Sequence, residues 1–369
     1  MQFTIHREAL LKPLQRVAGA VERRQTLPIL SNILVTVKSQ LLSLTGTDLE
    51  IEMIARIPLM QPAQPGAITI PGKKLIDICK ALPEQAQISF EMDQNKVVVR
   101  SGRSRYSLAC LEAENFPKVE ESPGDVELSV RQSVLRQLLD VTCFAMAQQD
   151  VRYYLNGVLM AFNHEEVRMV ATDGHRLATQ AHSMRSHLTQ PLNVIVPRKA
   201  VLEMQRLFAE GDEEIGLVIG KNHLRAVMTH SSFITKLIEG KFPDYQRVLP
   251  QSAPHQFEVS RELLKQALLR VSALFTDKYR GVGLQFTTNL LRIIAVTPDK
   301  DEVEDEVEIV YQGPSLEIGV NASYLIEYLN TVKAEMVRVA FSDPHHVILF
   351  EATLGEAEQH SYVVMPMRL

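Results

Sequence analysis

Apolar positions along the chain follow two different periods. Leu10, Leu14, Val17, Ala18 and Val21 recur at helical spacing, so one face of that segment is apolar. Leu49, Ile51, Met53, Ala55 and Ile57 instead alternate with Glu50, Glu52, Ile54 and Arg56, the pattern of a half-buried strand. The two patterns together predict a helix packed onto a sheet. Pro13 falls inside the helical run, where its missing N–H should kink the helix or shift its start.

The pattern recurs. IPGKKLIDI from Ile70, VPRKAVLEM from Val196 and VNASYLIEY from Val320 align without gaps, 126 and 124 residues apart. LKPL at Leu11, LRQL at Leu135 and LKQA at Leu264 form a second set, at intervals of 124 and 129. Two helical windows per repeat predict three similar domains of two halves each, every half a short strand, a helix and further strands. Polar, turn-forming stretches at EESPGD around Pro123 and PQSAPHQ around Pro254 mark the boundaries. The expected domains are 1–125, 126–253 and 254–369, in an α+β fold.

Composition narrows the partners. The 369 residues are 46% hydrophobic and 22% charged, an ordinary globular balance, and no apolar run is long enough to cross a bilayer. MQFTIHREAL mixes charges too early for a signal or transit peptide, so a cytoplasmic location is expected. Cys79, Cys110 and Cys143 are scattered and odd in number, which argues for reduced core thiols over disulfides or a metal site. A net charge of -5 lacks the basic excess of a typical nucleic-acid binder, so any DNA-facing surface must be local. Lys12, Arg136 and Lys265 lie in matching windows, and Lys73, Lys74, Arg198 and Lys199 cluster where the second helices begin. Such rows bind phosphate without reading sequence, or are simply solvated helix faces.

Six motifs bring these features together: LTGTDLE at 44–50, SGRSRYSL at 101–108, QDVRYYLNG at 149–157, ATDGHRLA at 171–178, GKFPDYQRVLP at 240–250 and the terminal YVVMPMRL. In this order, over the whole length, they resemble the bacterial DNA polymerase III beta subunit family, the sliding clamps. The resemblance implies a head-to-tail homodimer closed into a ring around duplex DNA, with helices inside and antiparallel sheets outside. It implies a processivity factor with no catalytic residues, cofactor or metal. The implied partners are the polymerase III alpha subunit, the clamp loader, translesion polymerases and mismatch-repair proteins.

The same resemblance assigns sites. Arg24, Gln149, Tyr153 and Tyr154 match DNA-contacting positions, and Lys73, Arg198 and Lys199 join them as DNA-binding candidates by charge and repeated placement, although the two tyrosines by themselves would read as buried strand residues. A partner-peptide groove is implied at Leu155, Thr172, Gly174, His175, Arg176, Leu177, Pro243, Arg247, Val248, Tyr279, Asn321, Tyr324 and Val347. The terminal Val363, Val364, Met365, Pro366, Met367, Arg368 and Leu369 complete it. Methionines suit a groove that accepts varied apolar anchors, while a last core strand is the other reading of Met365 and Met367. For the dimer interface, basic Lys74, Lys96, Arg103 and Arg105 would meet the acidic run at Asp301, Glu302, Glu304 and Asp305. Tyr106 and Leu108 would pack on Ala273 and Leu274 beside them. The acidic run from Asp299 to Glu308 holds seven carboxylates, which would otherwise read as a solvated loop.

Enzyme readings fail on spacing. Gly66 to Lys73 has one residue too many between its glycines for a phosphate-binding loop, and Lys74 stands where Ser or Thr should follow. Asp173 and His175 lack a nucleophile or metal partner, and His345, His346 and His360 lack metal-site spacing. The alternative to a clamp is a scaffold that binds peptides without encircling DNA.

Overall fold

The computed structural model describes residues 1–21, 27–117, 124–208, 211–250, 252–275, 280–353 and 359–368. Arg24, Tyr279 and Leu369 lie outside the described residues.

One unit of structure is used six times. The first half of the first repeat runs β1 (Gln2–His6), α1 (Arg7–Val17), β2 (Asn32–Lys38), β3 (Leu41–Thr47) and β4 (Ile51–Pro58). Its second half runs β5 (Gly66–Pro71), α2 (Gly72–Ala81), β6 (Gln87–Asp93), β7 (Lys96–Ser101) and β8 (Ser104–Ala109). The second repeat follows with β9 (Val126–Arg131), α3 (Gln132–Asp140), β10 (Gly157–Phe162), β11 (Glu166–Thr172) and β12 (Arg176–Ser183). Then come β13 (Leu192–Pro197), α4 (Arg198–Leu207), β14 (Glu214–Ile219), β15 (His223–Val227) and β16 (Ser231–Lys236). The third repeat holds β17 (His255–Ser260), α5 (Arg261–Val271), β18 (Gly281–Thr287), β19 (Leu290–Val296) and β20 (Glu302–Glu308). It ends with β21 (Leu316–Asn321), α6 (Ala322–Thr331), β22 (Met336–Phe341), β23 (Ile348–Thr353) and β24 (Gln359–Val364).

All named strand pairings are antiparallel, and the first strand of each half joins the sheet of the other half. Two further ladders join repeats: β4 pairs with β16 and β12 with β24, giving two eight-stranded sheets, β5-β2-β3-β4-β16-β15-β14-β9 and β13-β10-β11-β12-β24-β23-β22-β17. The remaining sheets, β1-β6-β7-β8 and β20-β19-β18-β21, have four strands each.

Contacts divide the chain into two compact units, Met1–Ser133 with Arg206–Leu237, and Val134–Gln205 with Ile238–Leu369. The linker-based division at 1–125, 126–253 and 254–369 follows the repeat instead. Compactness cuts through the middle stretch because β9 and β14 to β16 extend a sheet begun by β2 to β5, while β10 to β13 extend one completed by β24. No helix among the described residues is long and apolar enough to cross a membrane.

Local structure follows the apolar pattern with some corrections. In α1 the buried residues are Leu10, Leu14 and Val17, and the helix runs through Pro13 with its start at Arg7. The carbonyl that Pro13 deprives of a donor belongs to Ala9, which is exposed, so water can satisfy it. Burial also shifts one repeat by a residue: Leu10, not the half-buried Leu11, is the counterpart of buried Leu135 and Leu264. Lys12 therefore stands one place beyond Arg136 and Lys265. Leu49 lies outside the strand, in a turn with φ 77°, and Glu52 is buried because β4 is an inner strand covered by β16.

Helices pack on the sheets and, in the first and third repeats, on each other, and the buried core at β24 contains a titratable group. His360 on β24 is fully buried, stacked on Tyr328 at 5.7 Å, with Nε2 donating to the Val141 carbonyl at 2.8 Å. Its Nδ1 has no hydrogen-bond partner among the described residues. Burial pushes the imidazole down from 6.5 to about 4, so the fold holds the neutral ring. The unfolded chain binds the proton first, so stability should be full above pH 6.5 and fall as pH drops through about 4. Thermal unfolding across that window should show the parent losing about 3 kcal/mol relative to a His360→Gln variant. Parallel curves for the two proteins would show that His360 does not carry the effect.

Candidate functional site

The β12·β24 ladder creates a concave site within the second compact unit. Leu177 pairs opposite Val363, and strand periodicity sends both side chains to one face. There they join Leu155, Leu159, Val170, Ile195 and Phe242 in one buried cluster, with Tyr245, Val248 and Val347 packed against its edge. A pocket of about 190 Å³ opens on this cluster, lined by Leu155, Thr172, Gly174, Arg176, Leu177, Pro243, Val248, Val363 and Met365. All nine were expected in the groove. Arg152, Tyr154 and Tyr245 also line it and were not expected there. Tyr245 stands between Pro243 and Arg247 in the GKFPDYQRVLP motif, so that motif carried a usable signal.

The polar rim is held rigidly. Asp173 Oδ1 accepts the backbone N–H groups of His175 and Arg176 at 2.9 and 3.0 Å, closing the turn that Gly174 completes at φ +90°. Arg152 stacks beneath that glycine, where a Cβ would meet its guanidinium at 2.9 Å. Two bonds from Arg152 hold the Asp150 carboxyl down at about 2, and a third goes to the Asp173 carbonyl. Arg176 is 8% exposed; it reaches Asp173 at 3.1 Å, Glu327 at 2.6 Å and the Phe144 carbonyl at 2.9 Å, with the Tyr324 ring 4.4 Å away.

The other expected groove residues are distributed around it. Val364 is fully buried on the opposite face of β24, a consequence of the two-residue period. His175 is exposed, and its carbonyl accepts Met365 N–H at 2.9 Å. Arg247 pairs with Asp244 at 2.9 Å and is 86% exposed; Asn321 caps α6 through Ser323 N–H. β24 ends at Val364, and Met365 and Met367 are 43% and 40% exposed, so they are not a last core strand. Pro366 is half-buried and Arg368 exposed, while Met367 N–H donates to Gly319.

A second feature is the pair of four-stranded sheets, whose last strands end the ladder order. On β8 the exposed Arg105 alternates with half-buried Tyr106 and buried Leu108, and Arg103 stands in the preceding turn. Lys96 and Arg100 face outward on β7 next to it, opposite Ala109 and Arg105. The acidic run is a strand from Glu302, not a loop: Glu302, Glu304, Glu306 and Glu308 are exposed on one face of β20, and Val303, Asp305 and Val307 turn to the other. Asp305 is thereby separated from the other expected interface acids; it pairs with Arg270 of α5, which holds its carboxyl below the usual range. Asp301 and Ala273 are exposed and Leu274 is half-buried in a 3₁₀ turn after α5; Lys74 is exposed on α2.

Of the expected DNA contacts, Lys73 and Lys199 are exposed and Arg198 half-buried at the starts of α2 and α4. Gln149 is exposed at φ 57°. Tyr153 and Tyr154 are not buried strand residues: they form a 3₁₀ turn, edge to face at 5.8 Å, with Tyr153 58% exposed and Tyr154 in the groove lining. Among the described residues no group of His, Cys, Asp and Glu is placed to hold a metal ion. Burial pushes the Cys79 and Cys143 thiols up to about 11, which disfavours the thiolate form.

Comparison with known proteins covers the same span. The family profiles described as DNA polymerase III beta subunit N-terminal, central and C-terminal domains match residues 1–120, 129–244 and 246–368. The beta sliding clamps of Pseudomonas aeruginosa and Escherichia coli are 50% and 46% identical to this chain, each alignment covering 100% of both proteins. A crystal structure of the Pseudomonas aeruginosa subunit superposes with a TM-score of 0.95 at 49% identity over all of both chains. The Caulobacter crescentus subunit does so at 0.94 and 34%, again over all of both chains. With three successive profiles matched and full-length relatives at 46% and 50% identity, the chain belongs to the bacterial DNA polymerase III beta subunit family, the sliding clamps, which are processivity factors and not enzymes.

Proposed function

We propose that two copies of this chain close head to tail into a ring around duplex DNA and tether replication proteins through the β12·β24 groove. The observation that carries closure is the pair of sheet edges. Within the chain, the last strand of a first half pairs with the last strand of a second half twice, β4 with β16 and β12 with β24. β20 and β8 are the remaining strands of those two kinds, and they carry opposite charge. The repeat supports a register. Met53 faces Phe233 and Ala178 faces Tyr362; six residues after the turn threonines Thr47, Thr172 and Thr297 stand Met53, Ala178 and Val303. Tyr106 matches Phe233 and Tyr362, which are fully buried, whereas Tyr106 is only half-buried. Setting Val303 opposite Tyr106 puts Glu304 across from Arg105 and Glu306 across from Arg103.

The repeat, read with the three family profiles, supports three domains per copy. Lys73, Arg198 and Lys199 at the helix starts supply sequence-blind phosphate contacts, and Gln149 and Tyr153 add to them. The groove takes an extended peptide with apolar anchors from the replicative polymerase and the clamp loader. Translesion polymerases and mismatch-repair proteins share it, and this work is done in the cytoplasm.

Encirclement has its own signature. Binding to short linear duplex should be weak and lost as salt rises, because phosphate contacts depend on counterion release. Protein loaded on a circle should remain at that salt and leave when the circle is cut. Equal loss from circle and linear fragment would instead make the chain a peptide-binding scaffold.

Closure should respond to charge. Arg105→Glu should raise the dimer Kd at least about ten-fold, since like charges then face each other, and adding Glu304→Arg should recover part of it. Sedimentation equilibrium at low salt measures both; an unchanged Kd for the single variant would separate these edges.

Gly174→Ala tests the groove. A side chain at φ +90° is strained and would displace Arg152, so affinity for a polymerase-derived peptide should fall about ten-fold with the dimer intact. Calorimetric titration showing parental affinity would remove Arg152 and this turn from the site.

A further inference from the structure

One in-chain joint has a cation at a helix end, and the repeat points to a second. Arg206, the ninth residue of α4, donates from Nη1 to the Gln15 carbonyl at 2.9 Å and from Nη2 to the Arg16 carbonyl at 2.8 Å. These are last-turn carbonyls of α1, acceptors that the helix leaves without intrahelical donors and the negative end of its dipole. At the other joint the ninth residue of α6 is Asn330, and the Phe144 carbonyl in the 3₁₀ turn after α3 is held by Arg176 of the same repeat, which also bonds Glu327 of α6.

We propose that Lys80 of one copy caps helix α5 of the other, donating to the Leu269 and Arg270 carbonyls. The inference rests on the head-to-tail reading. α1 and α5 both have eleven residues, matching at Arg7 and Arg261, Glu8 and Glu262, Leu14 and Leu268, and Arg16 and Arg270. Each runs directly into a 3₁₀ turn, Ala18–Ala20 and Ser272–Leu274. Leu269 and Arg270 therefore occupy the places of Gln15 and Arg16. α2 and α4 both have ten residues, and Lys80 occupies the place of Arg206. Lys80 is exposed and makes no hydrogen bond or ion pair among the described residues. The two α5 carbonyls already accept Ser272 Oγ and Ser272 N–H, but each oxygen keeps a second lone pair. Arg270 would repel an incoming ammonium, and its ion pair with Asp305 neutralises it. Lysine brings a single compact charge where Arg206 brings a fork spanning both carbonyls, so this joint is held more loosely than its in-chain counterpart.

The test is the dimer Kd by sedimentation, with thermal unfolding of each variant. Lys80→Ala should raise Kd about five-fold without lowering the unfolding temperature, the usual scale for a cation at a helix C-terminus. Lys80→Arg should match or tighten the parent. Lys38→Ala removes the same charge at the exposed end of β2 and should leave Kd unchanged. A parental Kd for Lys80→Ala, while Arg105→Glu still dissociates the dimer, would overturn the cap and leave the strand ladder standing. An equal effect of Lys38→Ala would reduce Lys80 to general charge and also overturn it. If Arg105→Glu has no effect either, the head-to-tail reading falls, and the cap with it.

Discussion

Backbone hydrogen bonding at sheet edges governs this molecule. An edge strand presents a row of N–H and C=O groups that water satisfies poorly once side chains crowd around them, so such edges are joined, covered or charged. The β4·β16 and β12·β24 ladders join four edges inside the chain. They turn what would be separate small sheets into two of eight strands, and they bury Phe233 and Tyr362 completely. β8 and β20 are treated differently, with Arg105 on one and Arg103 in the turn before it, and glutamates on the other. Charge of a single sign keeps each edge from pairing with itself and suits it to the opposite one.

The groove is a by-product of one of these ladders. Opposite Val363 stands Leu177, and two residues on stands Met365, so the outer face of the β12·β24 joint is apolar. The β4·β16 joint has the same backbone geometry but different side chains: Glu52 faces Ile234, and Lys236 follows two residues on, 3.8 Å from Glu50. A peptide anchored by apolar side chains finds carboxylate and ammonium there. Repetition of the fold thus supplies the same ladder twice, and a few side chains make only one of them an apolar pocket. Gly174 and the Asp173 turn then set the rim, with Arg152 and Arg176 locked by carboxylates before any ligand arrives.

Much of this was legible in the chain. The repeats around Ile70, Val196 and Val320 announced three copies of one design because a helix must bury its apolar face wherever it recurs, and nine groove residues could be named from motifs alone. Arg152 could not, since its place beneath Gly174 depends on a left-handed turn in a different segment. Nor could Val364 be separated from Val363, or Asp305 from Glu304, until strand phase was known; a one-residue step moves a side chain to the other face. The helix windows slipped by a residue for the same kind of reason, as Leu10 and Leu11 are equally apolar and only burial tells them apart.

Sequence by itself determined the element types, their six-fold order and the family, because local periodicity and short motifs are properties of neighbouring residues. Tertiary structure alone decided which strands share a sheet. The exchange of β1 and β5 between halves and the joining of β4 to β16 bring together residues far apart in the chain, and backbone groups are chemically the same in every strand. Only the assembled fold shows which last strands of the halves are already paired and which two of them, one basic and one acidic, still end a sheet.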